Sequence, residues 1–438
     1  MNHSRRSFLK QSGLAVAAAG VPYSLTAQSP VAPSDQVQVA LIGCRNQGFS
    51  NLKDHLRQPG VVCGGLCDVD QQILEERAAE VERLTGTRPP LYGDYRKLLE
   101  NKDIDAVIIG TPDHWHALML VDACAAGKAV YVEKPLANSI AECDLMVKAA
   151  RYYKRVVQVG QQQRSGLHWQ AVVDYVQSGL LGGIRRVQVW ANFNYGKGGE
   201  RVPATSPPAH LDFDRWLGPA PAQPYHATRV HGSWRHQWDF GGGLMTDWGV
   251  HLLDIVLWAM QVEGAPRSVR ASGGIYAYPD RAIETPDTLD VQYDMGGWTL
   301  SWEQLGGVQR GIYGRNYGIA FIGANGTLVV NRSGWEVIPQ AEDGRYLIPA
   351  LPPQRGQESN HERHAINFLA AIRDQKDPIC TVEMGREAAF YAHLGNIAQR
   401  TDSVLRWDAT KGQFLQNKAA NALLKPDYRA PWRWPSFG

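Results

Sequence analysis

From Val37 onward, short apolar runs alternate with stretches of helical period. Residues 37–43 read VQVALIG, a run with β-branched residues that predicts a strand. A glycine-containing turn follows, then a predicted helix over Ser50 to Arg57 and a second strand at 61–68, VVCGGLCD. The alternation continues with a helix from Gln71 to Leu84, a strand at 105–112, a helix from His116 to Ala126, a strand at 129–135, a helix from Ser139 to Tyr153 and a strand at 156–160. Parallel neighbours need a crossover long enough to hold a helix, so this pattern predicts an α/β, doubly wound parallel sheet over residues 36–160.

The pattern then changes. After a helix over Leu167 to Ser178, strand signals at 185–193, 268–277, 288–295, 298–304, 317–325 and 326–332 arrive with few helices between them. Close succession favours antiparallel pairing, which predicts a second α+β domain over 161–414 with a mostly antiparallel open sheet. A loop rich in Pro, Gly and Trp, from Gly196 to Gly243, is long for a compact domain and is read as functional. His361 to Asp374 and Met384 to Arg400 read as amphipathic helices that cover a sheet face or return to the first domain, and 415–438 reads as a tail.

Charge narrows the function. The 438 residues carry 45 Lys plus Arg against 43 Asp plus Glu, a net charge of +2. That balance leaves no footprint for nucleic acid or an anionic membrane surface and points to a small-molecule partner. The first ten residues, MNHSRRSFLK, resemble a twin-arginine export signal, with Arg5 and Arg6 before Phe8, Leu9 and an Ala- and Gly-rich stretch. That stretch, Gly13 to Gly20, is too short to span a bilayer, so residues 1–35 read as a signal and linker, with Leu25-Thr26-Ala27 as a cleavage site and a periplasmic destination. The six cysteines have no zinc-ligand context and read as free thiols. No metal site is expected.

The chemistry sits at turns after strands, where doubly wound sheets bind ligands. Gly43-Cys44-Arg45-Asn46-Gln47-Gly48 follows the first strand, with Arg45 where a dinucleotide fingerprint has glycine. Asp68 ends the second strand, where a carboxylate accepts from a ribose 2′-hydroxyl and repels a 2′-phosphate, so NAD is favoured over NADP. Thr111, Pro112 and His116 belong to the turn TPDHWH, and Glu133-Lys134-Pro135 leaves the next strand end, with Pro135 fixing the turn that aims Lys134. Gln161, Gln162 and Arg164 follow the last strand of the series and face the nicotinamide or the substrate. Downstream, GGGLMTDWGVHLLD places Asp247 and His251 at i and i+4 on one helical face, so that the carboxylate orients an imidazole suited to proton transfer. A surface polar pair is the plain alternative, and Asp254 reads as structural. Tyr195, Arg235 and Trp238 are candidates for sugar contact, although most of the 14 tryptophans read as packing.

Taken together, the glycine turn, TPDHWH, EKP and GGGxxxDxGxH resemble the glucose-fructose oxidoreductase, inositol dehydrogenase and rhizopine-catabolism family (Gfo/Idh/MocA), from Val37 to about Phe414. The resemblance implies a Rossmann domain followed by an open sheet that mediates a homo-oligomer, a dimer or tetramer. It implies NAD as cofactor and Lys134, Asp247 and His251 as the catalytic set. Positions expected to hold the cofactor are Gly43, Arg45, Asn46, Gln47, Gly48, Asp68, Thr111, Pro112, His116, Glu133, Lys134 and Gln162. Those expected to hold the substrate are Arg164, Tyr195, Arg235, Trp238 and His251. Three functions follow: an oxidoreductase acting on a secondary hydroxyl of a sugar, cyclitol or glycoside, an NAD-dependent glycosidase or lyase working by transient oxidation and elimination, and a non-catalytic sugar-binding protein. A chain exported folded would keep its nucleotide and restore its redox state on the enzyme.

Overall fold

A computed structural model describes residues 36–192, 197–356 and 360–437. The Arg5 and Arg6 motif and Tyr195 therefore lie outside the described residues. Six parallel strands, β1 (Val37–Ile42), β2 (Val61–Cys67), β3 (Leu91–Tyr92), β4 (Ala106–Ile109), β5 (Ala129–Val132) and β6 (Val157–Val159), form a sheet in the order β3-β2-β1-β4-β5-β6. The order reverses direction at β1 and β4, which opens a crevice at their carboxyl ends. Both faces are covered by α1 (Asn46–Leu56), α2 (Gln71–Thr85), α3 (Tyr95–Glu100), α4 (His116–Ala125) and α5 (Ile140–Tyr152). Asp70, Asp94 and Ser139 cap α2, α3 and α5 by accepting from backbone N–H groups of the first turn.

β3 has no counterpart in the predicted strands. It is two residues long and follows Pro89 and Pro90, so it carries almost no periodicity.

After α6 (Leu167–Gln177), eight strands build the second sheet: β7 (Ile184–Ala191), β8 (Ser268–Gly274), β9 (Thr288–Asp294), β10 (Thr299–Leu305), β11 (Tyr317–Gly323), β12 (Gly326–Asn331), β13 (Gly334–Pro339) and β14 (Leu351–Arg355). Their order is β14-β13-β12-β11-β7-β10-β9-β8, antiparallel except where β7 and β10 run parallel. β9 and β10 alternate buried and exposed positions, the mark of a sheet with one covered face. That face packs on α7 (Val250–Ala259) and α9 (Val382–Thr401), with Trp302 and Tyr293 fully buried between. The other late helix, α8 (Asn360–Asp374), returns to the first domain, where Phe368 and Leu369 join the core beneath β1.

The tail also returns. Tyr428 donates to Glu142 at 2.7 Å, Arg429 reaches Asp214 at 2.7 Å, and Trp432 stands edge-on to Trp115 with 4.9 Å between ring centroids. Among the described residues no helix is long and apolar enough to cross a membrane.

Candidate active site

The crevice at β1 and β4 is an open cleft of about 980 Å³ lined by Gly43, Arg45, Asn46, Gln47, Asp68, Thr111 and Pro112. α1 starts at Asn46, four positions earlier than the predicted Ser50, which brings Gln47 and Gly48 into its first turn. Close packing demands this: a Cβ on Gly48 would lie 2.3 Å from the Gly43 carbonyl oxygen, and Gly43 itself has φ +88. Arg45 occupies the N-cap position without a side-chain cap, so the first-turn N–H groups of α1 lack the usual internal acceptor. Uncapped N–H groups and the positive end of the helix dipole suit a pyrophosphate. Asp68 accepts from Cys44 N at 2.7 Å and Asp70 N at 3.0 Å, which fixes its carboxylate at the cleft wall, while burial pushes its pKa up. Both oxygens keep lone pairs for a ribose hydroxyl. The donor set and the shape therefore fit a dinucleotide.

Four tryptophans complete this cleft: Trp115, Trp216, Trp234 and Trp432. Two come from the 196–243 loop and one from the tail, and the sequence pattern assigned a ligand-facing role to none of them. Their sequence signal is Trp density alone, which the fully buried Trp169, Trp190 and Trp302 share.

Glu133 and Gln162, expected at the cofactor, bond to each other. Glu133 Oε1 accepts from Asn51 at 2.7 Å and Gln162 at 3.2 Å, and its Oε2 from Lys134 N at 3.2 Å. This network ties α1, β5 and the end of β6 together, and burial raises the pKa of Glu133. His116 is likewise engaged, its two ring nitrogens 2.9 Å from the Pro135 carbonyl and 3.0 Å from that of Thr111. It is fully buried and joins the two turns rather than opening to the cleft.

Lys134 leaves β5 and meets the second domain. Its Nζ donates to Asp247 Oδ1 at 2.7 Å and to the Asp247 carbonyl at 2.9 Å. Arg235 Nε lies 3.4 Å from the same carboxylate oxygen and its guanidinium covers the Trp234 ring at 4.3 Å. Asp247 does not sit in a regular α-helix, because Met245–Gly249 forms a π-helical turn before α7 begins. The inserted residue changes the i to i+4 relation, and the Asp247 carboxylate turns to Lys134 while His251 Nδ1 has no hydrogen-bond partner. The expected orientation of His251 by Asp247 is thus replaced by a lysine clamp.

His251 is buried, and that burial, together with Lys134 and Arg332, holds its pKa well below the ordinary value against the opposing pull of Asp247. It is a neutral imidazole at physiological pH. Nearby Asp113, 5 % exposed, is pushed up to about 8 by burial and is largely protonated at pH 7.

Two expected substrate residues lie elsewhere. Arg164 is buried in a bidentate pair with Asp254, at 2.8 Å from Nη2 and 2.9 Å from Nε, and its guanidinium lies over Trp258. A guanidinium inside the core needs a fixed carboxylate, and Asp254 is that structural partner. Trp238 packs beneath Arg400 at 4.6 Å, outside the cleft. Conversely, Gln163, Trp248, Tyr317 and Arg332 gather around His251 although the sequence pattern assigned them no role.

Comparison with known proteins establishes the family and the fold. The oxidoreductase-family model for an NAD-binding Rossmann fold matches residues 37–161, and the model for that family's C-terminal alpha/beta domain matches 166–300 and 341–434. A glycosyl hydrolase family 109 protein of Shewanella sp. (strain W3-18-1) is 32 % identical over 203 residues, 41 % of this chain and 44 % of that one. An alpha-N-acetylgalactosaminidase of Shewanella oneidensis is 30 % identical over the same share. The chain thus spans less than half the length of these curated relatives. Among solved structures, aldose-aldose oxidoreductase of Caulobacter crescentus superposes with a TM-score of 0.63 at 18 % identity, covering 85 % of this chain and 99 % of that one. Levoglucosan dehydrogenase in complex with NADH gives 0.64 at 20 %, covering 84 % and 98 %. At these identities the structures establish the fold. With a Rossmann domain that binds NAD and a matching second domain, the chain belongs to the Gfo/Idh/MocA oxidoreductase family.

Proposed function

We propose that this protein is an NAD-dependent oxidoreductase acting on a secondary hydroxyl of a sugar, cyclitol or glycoside, with Lys134, Asp247 and His251 as the catalytic set. The observation that carries the reading is the junction of the two domains, where Lys134 is clamped by Asp247 beside the neutral, unpartnered His251 Nδ1. Arg45, Asn46, Gln47, Gly48 and Asp68 would hold NAD, which when bound accepts a hydride from a carbinol carbon. The Lys134 ammonium, fixed by two bonds to Asp247, keeps one N–H for the substrate oxygen. His251 has a lone pair for the hydroxyl proton. Arg235 approaches the same Asp247 oxygen that Lys134 holds, and the walls of Trp234 and Trp216 suit the apolar faces of a sugar ring.

A second reading has one specific support. The family 109 relatives favour glycoside cleavage through transient oxidation, a cycle in which the same proton-handling groups act and the redox state is restored. The twin-arginine motif supports export with a retained nucleotide, and the lining of the cleft by Trp216, Trp234 and Trp432 supports slow release. The test is to purify the protein without added nucleotide, dialyse it, and measure bound NAD(H) per chain and turnover on sugars, sugar mixtures and aryl glycosides. Bound nucleotide with turnover on mixtures supports the redox-neutral form. An empty protein whose activity rises linearly with added NAD removes it.

A further inference from the structure

We infer that Arg332 forms a carboxylate-binding subsite beside His251, so that the sugar taken by this site is an acid. The inference rests on the sugar-oxidoreductase reading above and specifies its substrate class. Arg332 lies in the turn between β12 and β13, on the second domain. Its Nε donates to Gln163 Oε1 at 3.0 Å, and Gln163 Nε2 donates to the His251 carbonyl at 3.0 Å, so one glutamine joins the guanidinium to the helix that carries the imidazole. The guanidinium also lies 4.6 Å above the Trp248 ring, which in turn stands edge-on to His251 at 6.1 Å. Arg332 is thereby held one side chain away from the proton-handling group.

Its charge is not neutralised there. Of the two groups that oppose the lowering of its pKa, Tyr317 is a phenol that burial keeps neutral, and the Asp247 carboxylate is already engaged by Lys134 and Arg235. Among the described residues no carboxylate forms an ion pair with it, whereas Arg164 is fully matched by Asp254. The residue is exposed, yet enough protein surrounds it that burial pushes its pKa down. A solvent-exposed guanidinium, fixed on one edge by Gln163 and stacked on the Trp248 indole, is ready for an anion from solution. With Nε committed to Gln163, the two Nη groups remain as an end-on fork, which matches the two oxygens of a carboxylate. One free positive charge suits a singly charged acid better than a phosphate dianion. A carboxylate held there belongs to the same ring whose hydroxyl faces His251, which describes a uronate or another sugar acid.

The experiment compares matched pairs on NAD-loaded protein by titration calorimetry: methyl glucoside with methyl glucuronide, methyl galactoside with methyl galacturonide, and methyl mannoside with methyl mannuronide, with glucose 6-sulfate as a further probe. Wild type should bind the acid of at least one pair roughly 10- to 100-fold more tightly, the range of a charge-assisted bond. In Arg332→Gln that preference should fall towards one, and in Arg332→Lys it should be intermediate, while bound NAD per chain stays as in wild type. Equal binding within every wild-type pair, a preference unchanged in Arg332→Gln, or tighter binding of the sulfate than of any acid overturns the inference. Loss of NAD from Arg332→Gln with no change in sugar preference places the residue on the cofactor and also overturns it. Tight, Arg332-dependent binding of an acid that never reduces the bound NAD upholds the subsite and refutes the oxidoreductase reading instead.

Discussion

Replacing Lys134 by Met and Asp247 by Asn, singly and together, probes the clamp that defines the site. The two side chains are 13 % and 10 % exposed, so their 2.7 Å contact is a nearly buried ion pair. At an effective dielectric of about 20, unit charges at that distance attract by about 6 kcal/mol and at the 3.4 Å of Arg235 by about 5 kcal/mol. Arg235 is already paired with Asp247 and stays so when Lys134 is lost, so the carboxylate is not orphaned, and Lys134→Met should cost about 2 kcal/mol, below the usual figure for orphaning a buried charge. Asp247→Asn leaves two cations facing each other and should cost about 4 kcal/mol. The double variant should cost little more than Asp247→Asn, a coupling of about 2 kcal/mol. Urea unfolding followed by tryptophan fluorescence measures all four proteins. Single costs that add to within about 0.5 kcal/mol refute the clamp. Turnover of the single variants should fall by about 10²- to 10⁴-fold, with NAD still bound.

Burial, Lys134 and Arg332 depress His251, so it stays neutral as pH falls through 6.5, and the acid limb of kcat/KM should lie below that pH. Arg332→Gln removes one depressing charge, so the limb should move upward, and a limb above pH 6.5 in wild type excludes His251 as the base. Asp68→Ala should weaken NAD and improve NADP relative to it, because the carboxylate at the cleft wall both accepts from ribose and repels a 2′-phosphate; calorimetry showing wild type preferring NADP contradicts this. Glu142, fully buried under Tyr428, is pushed up from 4.5 to about 7. Its folded pKa exceeds the unfolded value, so the fold loses about 3 kcal/mol as pH rises from about 4.5 to about 7, and the loss is complete above that. Glu142→Gln should flatten this part of the stability profile, and a wild-type profile of the same shape as that of the variant rejects the assignment.

Much of this architecture is legible in the residue pattern, because alternation of strand and helix periods leaves few topologies once parallel pairing is required. The short and edge elements are not. β13 and β14 hold Pro339, Pro352 and Pro353, which suppress strand signal; Pro352 and Pro353 are tolerated because β14 is an edge, and Pro339 is the last residue of β13. In the site, Lys134, Asp247 and His251 come together as their turn and helix positions suggest, but their connectivity differs. The reason is local: the π-helical turn at Met245–Gly249 breaks the period that an i, i+4 argument assumes. Arg164 illustrates a second limit, since its position after β6 says nothing of Asp254, 90 residues away, which claims it. Arg332 sits in an Asn-Arg-Ser-Gly turn whose composition predicts a bend. Only the register of the second sheet brings that bend to His251.

The most direct test of the central claim is a single-turnover reaction of NAD-loaded protein with a panel of neutral and acidic sugars, followed at the nicotinamide absorbance. A sugar-dependent rise in reduced nicotinamide is expected, present in wild type and slowed by about 10²-fold or more in His251→Ala and Lys134→Ala. No rise with any sugar, or an equal rise in both variants, would contradict it.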